Sequence, residues 1–369
     1  MTTTYGILSD FHKTSPTTID KAIRHLKDAG AQYLILNGDL TGEQNPHKIP
    51  PSYYLDYLLK AAADTNLETY VQFGSHEEFF LSEEILNAKA RLYGNIINIS
   101  QQQTIKKADH HLLFLPGSDV NAGGEYTFGT HLPTGTYLQT KEGLQPVTDR
   151  KQYPLCAQLI QTKQAESIFH YEDINDLKKH VTDPQKTILI CHVPPLTRRP
   201  TGIDYAHFIQ THYFDFAHEK DRFDLTKHRE FHKTLGVAPY DPRIIAHLQQ
   251  QNIPFVPLAQ NAPATIERLA KYHSQETKNP KITIAVETQD NCGNGELSDL
   301  IKQLDITKFI CGHIHESSHH AHTHLGNPLE QNVFTPSLFW NASCMDAFKA
   351  GILRVDGINV AYQNIDLKR

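Results

Sequence analysis

No apolar run in this 369-residue chain approaches the roughly 20 residues needed to cross a bilayer, so a membrane-spanning helix is excluded and no membrane partner is expected. Cysteine is scarce. The five residues Cys156, Cys191, Cys292, Cys311 and Cys344 are scattered, odd in number and never spaced as a CxxC pair. That excludes a disulfide scaffold and a thiolate zinc site, and reads as reduced thiols in a reducing compartment. An excess of positive charge is lacking too: 35 Lys and Arg stand against 41 Asp and Glu, a net charge of -6 with a pI near 6.4. Long nucleic acid is therefore not an expected partner. The opening Met1-Thr2-Thr3-Thr4-Tyr5 has no basic or apolar leader region, which predicts a cytoplasmic protein. Internal repeats and low-complexity tracts are absent. The length suffices for one large domain or two with a sizeable core.

What the chain does have is alternation. Tyr5–Ser9, Tyr33–Leu36, Glu68–Phe73 and Lys186–Cys191 are strand-like runs. Helical spacing of apolar residues falls between them at 18–30, after Pro50-Pro51 and at 82–93. Residues 120–150 read as hairpins or long loops, and 155–181 as partly helical. Residues 197–280 are dense in His and aromatics between Tyr205 and His218, with Phe216 among them. A strand at Ile253–Val256 and a helix at 262–272 are predicted there. The core pattern is expected to resume at Lys281–Val286, followed by a helix at 295–304 and the strand Lys308–Cys311. The tail (331–334, 338–340, 349–355, 358–364) reads as consecutive antiparallel strands turning at Asp356-Gly357.

Each early strand ends in polar residues able to ligate a metal. In order these are Asp10 and His12, Asp39, Ser75-His76-Glu77, His192, and His313 with His315. His-x-His cannot share one helix face, but on extended chain residues i and i+2 point the same way, with Gly312 allowing a tight turn. Ligands in layered α/β folds bind at the carboxyl ends of strands. Carboxylates and imidazoles converging there make a mixed O/N site suited to Mn, Fe, Zn or Co. A carboxylate such as Asp39 can bridge two ions, and two ions roughly 3.5–4 Å apart clamp the attacking and leaving oxygens of displacement at phosphorus.

The blocks Asp10-Phe11-His12, Gly38-Asp39-Leu40-Thr41-Gly42, Gly74-Ser75-His76-Glu77, His192 and Gly312-His313-Ile314-His315 resemble, in kind and order, the calcineurin-like metallophosphoesterases. The resemblance covers residues 5–118, about 186–195 and 281–364. It is nearest to the small bacterial and archaeal members, to which Cys292-Gly293-Asn294-Gly295-Glu296-Leu297 is also similar. It implies an α/β fold: a four-layer α/β/β/α sandwich of two mixed sheets, a single domain over 1–369 with insertions at about 118–185 and 197–280 that are cap or lid candidates. It implies a dinuclear centre of divalent or trivalent transition-metal ions. Asp10, His12, Asp39 and His315 would hold one ion; Asp39, His192 and His313 the other. Ser75 falls where the family places an Asn ligand to the second ion, so that site is weakened or completed by another donor. His76 would stabilise or protonate the leaving oxygen, and Glu77 stands where a carboxylate orients that His. The implied reaction is attack of a metal-bridging hydroxide on a small phosphomonoester or phosphodiester. The rival reading is a phosphoester-binding or regulatory protein with an impaired second site.

Three features lie outside those blocks. Arg198-Arg199 is a candidate bidentate donor to a substrate phosphate, against a plain solvent-facing pair. In Ser317–His324, alternation puts His320, His322 and His324 on one face, and a solvated hairpin is the expected form. The stretch 205–218 reads either as a lid over the metals or as an extra packed helix or dimer contact.

Overall fold

The computed structural model describes residues 2–41, 48–101, 103–119, 124–215, 232–239, 242–260 and 263–368. The chain divides into two compact units, one of Met1–Asp204 with Gly293–Arg369, the other of Tyr205–Cys292.

Two six-stranded sheets form the centre of the first unit. One runs Asn359–Asp366, Lys349–Asp356, Thr3–Leu8, Tyr33–Asn37, Glu68–Gln72, Ile96–Asn98; its last four strands are parallel and the C-terminal hairpin closes one edge antiparallel. The other runs Ala321–His322, Leu338–Asn341, Lys308–Cys311, Thr187–Cys191, His111–Leu115, Thr104–Lys106, with the middle four parallel. Parallel strands are buried on both faces and so read as continuous apolar runs. Alternate residues divide between two cores. Tyr5, Ile7, Ile35 and Tyr70 of the first sheet meet Leu112, Phe114, Ile188 and Ile310 of the second in one cluster between the sheets. Leu8, Leu34, Leu36 and Val71 face the other way, onto helices. Each such Leu or Ile contributes roughly 1.5–3 kcal/mol by burial.

The helices Pro16–Asp28, Pro51–Ala63 and Phe79–Leu92 cover the first sheet. The Ser15 hydroxyl caps the first by accepting from Thr18 N at 3.2 Å, and that helix buries Ile19, Ala22, Ile23 and Leu26. The third begins at Phe79, earlier than its spacing predicts, because Phe79 itself is buried in the core. On the outer face of the second sheet, Gly295–Gln303 packs Leu297, Leu300 and Ile301 against Leu189, Cys191, Phe309 and Cys311. Asn294 caps it, its Oδ1 accepting from Leu297 N at 2.7 Å. The layers are thus helix, sheet, sheet, helix, and the α/β four-layer expectation holds.

Other sequence expectations change. Most of the loose stretch after residue 118 forms a five-stranded sheet ordered Gly143–Val147, Gly135–Thr140, Ala165–Asp173, Tyr126–Gly129, Ser118–Asp119. Between the helix Tyr153–Gln161 and the 3-10 turn Ile174–Lys179 runs the strand Ala165–Asp173. Interspersed charged residues hide its alternation. The strand Lys281–Asn291 does not return to the central sheets. It pairs along its whole length with Tyr205–Asp215 in a four-stranded sheet of the second unit, flanked by His232–Pro239 and Phe255–Val256. The helix Pro263–Thr277 packs Ile266 and Ala270 on this sheet's Ile282, Ile284 and Val286. The His/aromatic stretch is therefore a strand as far as Asp215 and not a helix; Phe216 and His218 lie outside the described residues. In the tail, Leu338–Asn341 runs parallel to Lys308–Cys311 and residues 331–334 form no strand. None of the five cysteines is in a disulfide, and Cys191 and Cys311 are core residues.

Candidate metal centre

Because the central strands of both sheets run parallel, their carboxyl ends open on one side, and the strand-end residues meet there. Three adopt left-handed backbone: Asp10 (φ 59°), Asp39 (φ 51°) and His313 (φ 68°). Asp and His tolerate this region better than most residues, and such conformations cluster where side chains must be aimed. Gly312 serves otherwise than expected. It is His313, not Gly312, that takes the unusual φ; a Cβ on Gly312 would lie 2.8 Å from Asp10 Oδ2. The glycine lets the His313 loop approach the first strand end, where His313 N donates to Asp10 Oδ1 at 3.2 Å.

Asn37 ties the sheets together. Its Nδ2 donates to Cys191 O at 3.2 Å, and its own carbonyl accepts from His192 Nδ1 at 2.8 Å. A carbonyl only accepts, so the proton of His192 is fixed on Nδ1 and Nε2 faces the centre. That Nε2 is buried, lies 3.0 Å from Asp39 Oδ2, and makes no hydrogen bond of proper geometry. A lone pair and a carboxylate oxygen so close require a proton or a metal cation between them.

The ligand-type atoms fall into three overlapping groups, each within 4.8 Å: Asp10, His12 and His315; Asp39, His192 and His313; and His12, Asp39 and His76. His12 Nε2 is 3.4 Å from Asp39 Oδ2, and His315 Nε2 is 3.3 Å from Asp10 Oδ1. Hard carboxylates mixed with imidazoles, with an orphaned nitrogen between, fit transition-metal ions. Asp10, His12, His315, Asp39, His192 and His313 would hold them.

Electrostatics make the same point. Burial alone would raise the pKa of Asp39, but His192 and His12 outweigh it and hold the carboxyl well below its ordinary value. Burial lowers His192 too, yet Asp39 carries it up to about 9. Asp10 and His315 form a second such pair: burial opposes both charges, His315 holds Asp10 down, and Asp10 holds His315 well up. His313, buried and beside His192, drops to about 4. Without metal, protons bound to imidazoles neutralise the two buried carboxylates.

Four expected residues sit differently from their sequence reading. Ser75 donates its hydroxyl to both oxygens of Asp39, at 3.1 and 3.0 Å, and its amide to Oδ1 at 2.6 Å. It thus holds the Asp39 carboxylate in place. Glu77 turns away from an orienting role towards His76: its buried carboxylate accepts from the amides of Leu40, Thr41 and Gly74. Burial, then Asp39, pushes it up to about 7. Arg198 and Arg199 line a separate cavity whose described lining includes none of the clustered residues. His76 lies beside the cluster: its ring packs edge-on against His12 at 4.5 Å between centroids, and burial lowers its pKa. Gly42 lies outside the described residues. The run after Ser317 is not a solvated hairpin throughout, since His322 is 4% exposed.

A sixth strand end lies against the first. After Leu338–Asn341, Met345 N and Asp346 N donate to the carbonyls of Ser9 and Asp10 at 2.9 and 3.0 Å, bracing the first ligand loop. Asp346 Oδ1 accepts from Lys13 N at 2.6 Å, and its Oδ2 is buried without a partner. The available signal was an Asp soon after an apolar strand, as at Asp10. Asn37 was readable too, as a polar residue closing an otherwise apolar strand.

A strand-end centre at the mouth of a double-sheet sandwich defines a metal-site protein of the α/β/β/α class. The sequence model described as calcineurin-like phosphoesterase matches residues 3–237, and the chain belongs to that family. Membership carries with it a hydrolase of phosphoesters that depends on metal. The chain is similar to the crystal structure of TT1561 of Thermus thermophilus, with 10% identity over 100% of both chains and a TM-score of 0.47. A second solved structure covers 98% of this chain and 99% of its own at 9% identity, with a TM-score of 0.45. No curated protein sequence matches this chain. Among the described residues no helix is long and apolar enough to cross a membrane.

Proposed function

We propose that the protein hydrolyses a small phosphomonoester or phosphodiester at a two-metal centre. One observation carries the reading: the buried carboxylate of Asp39 stands between two imidazole sets, His12 on one side and His192 with His313 on the other. In this reading Asp39 would help to hold both ions. Asp10, His12 and His315 complete the first set, His192 and His313 the second. When bound, the ions supply Lewis acidity and a water of lowered pKa. Ser75 and the His76 amide hold Asp39 in register by donating to it. His76, kept neutral at pH 7 by its lowered pKa, offers its N–H to the leaving oxygen. The partner is a small phosphoester; the acidic net charge disfavours long nucleic acid.

A second reading, a phosphoester-binding or regulatory protein, is favoured by Ser75, whose hydroxyl is engaged with Asp39 and offers the second ion no carboxamide oxygen. Metal analysis with a phosphoester panel separates the two. Two equivalents of Mn, Fe or Zn with turnover of p-nitrophenyl or bis-p-nitrophenyl phosphate, abolished in Asp39→Asn, supports the enzyme. Bound metal without turnover on any ester of the panel supports the alternative.

A further inference from the structure

The loop that carries His313 and His315 makes an uncommon turn. His313 has φ 68°, and across it Ile314 N donates to Gly312 O at 2.8 Å. A three-residue turn closed in this way at positive φ is the rare, strained form of the γ-turn. Such backbone persists only where its surroundings over-determine it. The approach to the turn is held by Gly312 N, which donates to His192 O at 3.0 Å. The turn itself is held by a side chain from the neighbouring strand.

Asn341 ends the strand Leu338–Asn341 and stands opposite Cys311. It is fully buried, and its Nδ2 donates to the carbonyls on both sides of His313, Ile314 O at 2.9 Å and Gly312 O at 3.2 Å. The same nitrogen lies 3.3 Å from Ile203 O and 3.4 Å from Ser317 Oγ. The Ser317 hydroxyl adds to this clamp, 2.7 Å from Ile203 O and 3.3 Å from Ile314 O. The three carbonyls can only accept, so the nitrogen is the end of the amide that faces the loop. Oδ1 is turned away, buried and without a hydrogen-bond partner among the described residues. An unmet buried carbonyl is a standing cost, and here it accompanies two amide protons kept on the loop. Leu, of similar volume, supplies no donor at this place, and Asp sets a charge against the carbonyls.

We infer that Asn341 is a positioning residue of the metal centre: its amide fixes the turn that aims His313 at Asp39 and His192 and carries His315 on to Asp10 and His12. The assignment rests on the two-metal reading. The two histidines belong to different ligand sets, so release of this one turn weakens both ions together.

The test is chelator competition with Mn²⁺ and, separately, Zn²⁺ on the full chain, beside hydrogen exchange of the metal-free protein. Wild type is compared with Asn341→Leu, Ser317→Ala and Leu338→Ala. Leu338 lies earlier on the same strand, in the core between the sheets, and its truncation is the control for general destabilisation. In Asn341→Leu both metal equivalents should weaken by at least about tenfold, and the Ile314 amide should exchange at least about tenfold faster. Ser317→Ala should move both in the same direction by about threefold, the share of one hydrogen bond. That variant decides the matter if Asn341→Leu does not fold. Leu338→Ala should lower the denaturation midpoint and leave both affinities as in wild type. Unchanged affinity in folded Asn341→Leu or in Ser317→Ala, unchanged Ile314 exchange, or an equal loss of affinity in Leu338→Ala overturns the assignment alone. A wild type that takes up neither metal overturns the two-metal reading and the assignment with it.

Discussion

The hydroxyl of Ser75 spans the carboxylate of Asp39, 3.1 Å from Oδ1 and 3.0 Å from Oδ2. A serine here holds Asp39 in place and lacks the reach of an amide oxygen. Ser75→Asn should therefore tighten the second metal equivalent by about tenfold, the scale on which neighbours of ligands act. Ser75→Ala should cost only about 1 kcal/mol of stability, because the amides of Ser75 and His76 still donate to Asp39. Chelator competition with metal analysis reads the first effect and urea denaturation the second. Unchanged affinity for the second equivalent in Ser75→Asn would show that position 75 does not limit that site.

His192 gives a pH dependence whose sign is fixed by its raised pKa of about 9, against an ordinary value near 6.5. The proton it holds beside Asp39 stabilises the metal-free fold fully below about 6.5, and that stability is lost as pH rises towards 9. Metal must displace the same proton, so metal affinity should climb over this interval. Denaturation midpoints of chelator-stripped protein should fall from about pH 6.5 to about 9 while metal affinity rises. Flat affinity across that range would mean that His192 Nε2 is not exchanged for metal.

Much of this centre is legible in the sequence because parallel strands buried on both faces leave apolar runs that stop abruptly, and the stopping residues are the ones at the mouth. Asp10, Asp39, His192 and His313 all stand just beyond such runs. Roles set by backbone direction were not legible. Nothing in Ser75-His76-Glu77 reveals that Glu77 folds back onto the amides of Leu40 and Gly74, since that depends on where a neighbouring loop arrives. The strand Lys281–Asn291 has the alternation of a core strand and lies instead in another sheet, because pattern reports burial but not the partner. Asp346 was missed because its strand, Leu338–Asn341, read as one of an antiparallel series whose ends would not point to the mouth.

Glu77 is placed to hold two ligand loops together, the one after Asp39 and the one before Ser75. Removing its carboxylate leaves the amides of Leu40, Thr41 and Gly74 without their acceptor. Glu77→Ala should lower stability by about 1–3 kcal/mol, the cost of buried polar groups left unmet. Both metals should weaken with it, because Asp39 and Ser75 are flanked by the amides it binds. If Glu77→Ala loses turnover with an unchanged urea midpoint and full metal content, the carboxylate acts in the chemistry and not as a clamp.

Gly74 sets how closely those loops can approach. A Cβ there would overlap Asp39 Oδ1 and lie 2.6 Å from Asp39 N and 2.7 Å from His192 Cδ2. Neither neighbour can yield: the Asp39 carbonyl accepts from Phe11 N at 2.7 Å, and His192 is fixed through Asn37. Gly74→Ala should thus cost about 1–3 kcal/mol, as overpacking does, and push Asp39 away from His192. Gly94 is the control, with nothing within 4 Å of its Cβ position. Gly94→Ala should change stability by less than about 1 kcal/mol and leave metal binding intact. Metal stoichiometry beside denaturation midpoints tests the pair. A Gly74→Ala protein that keeps both metals and its full midpoint would show that the loops have room to part, and that the short distance between Asp39 and His192 is not imposed by the fold.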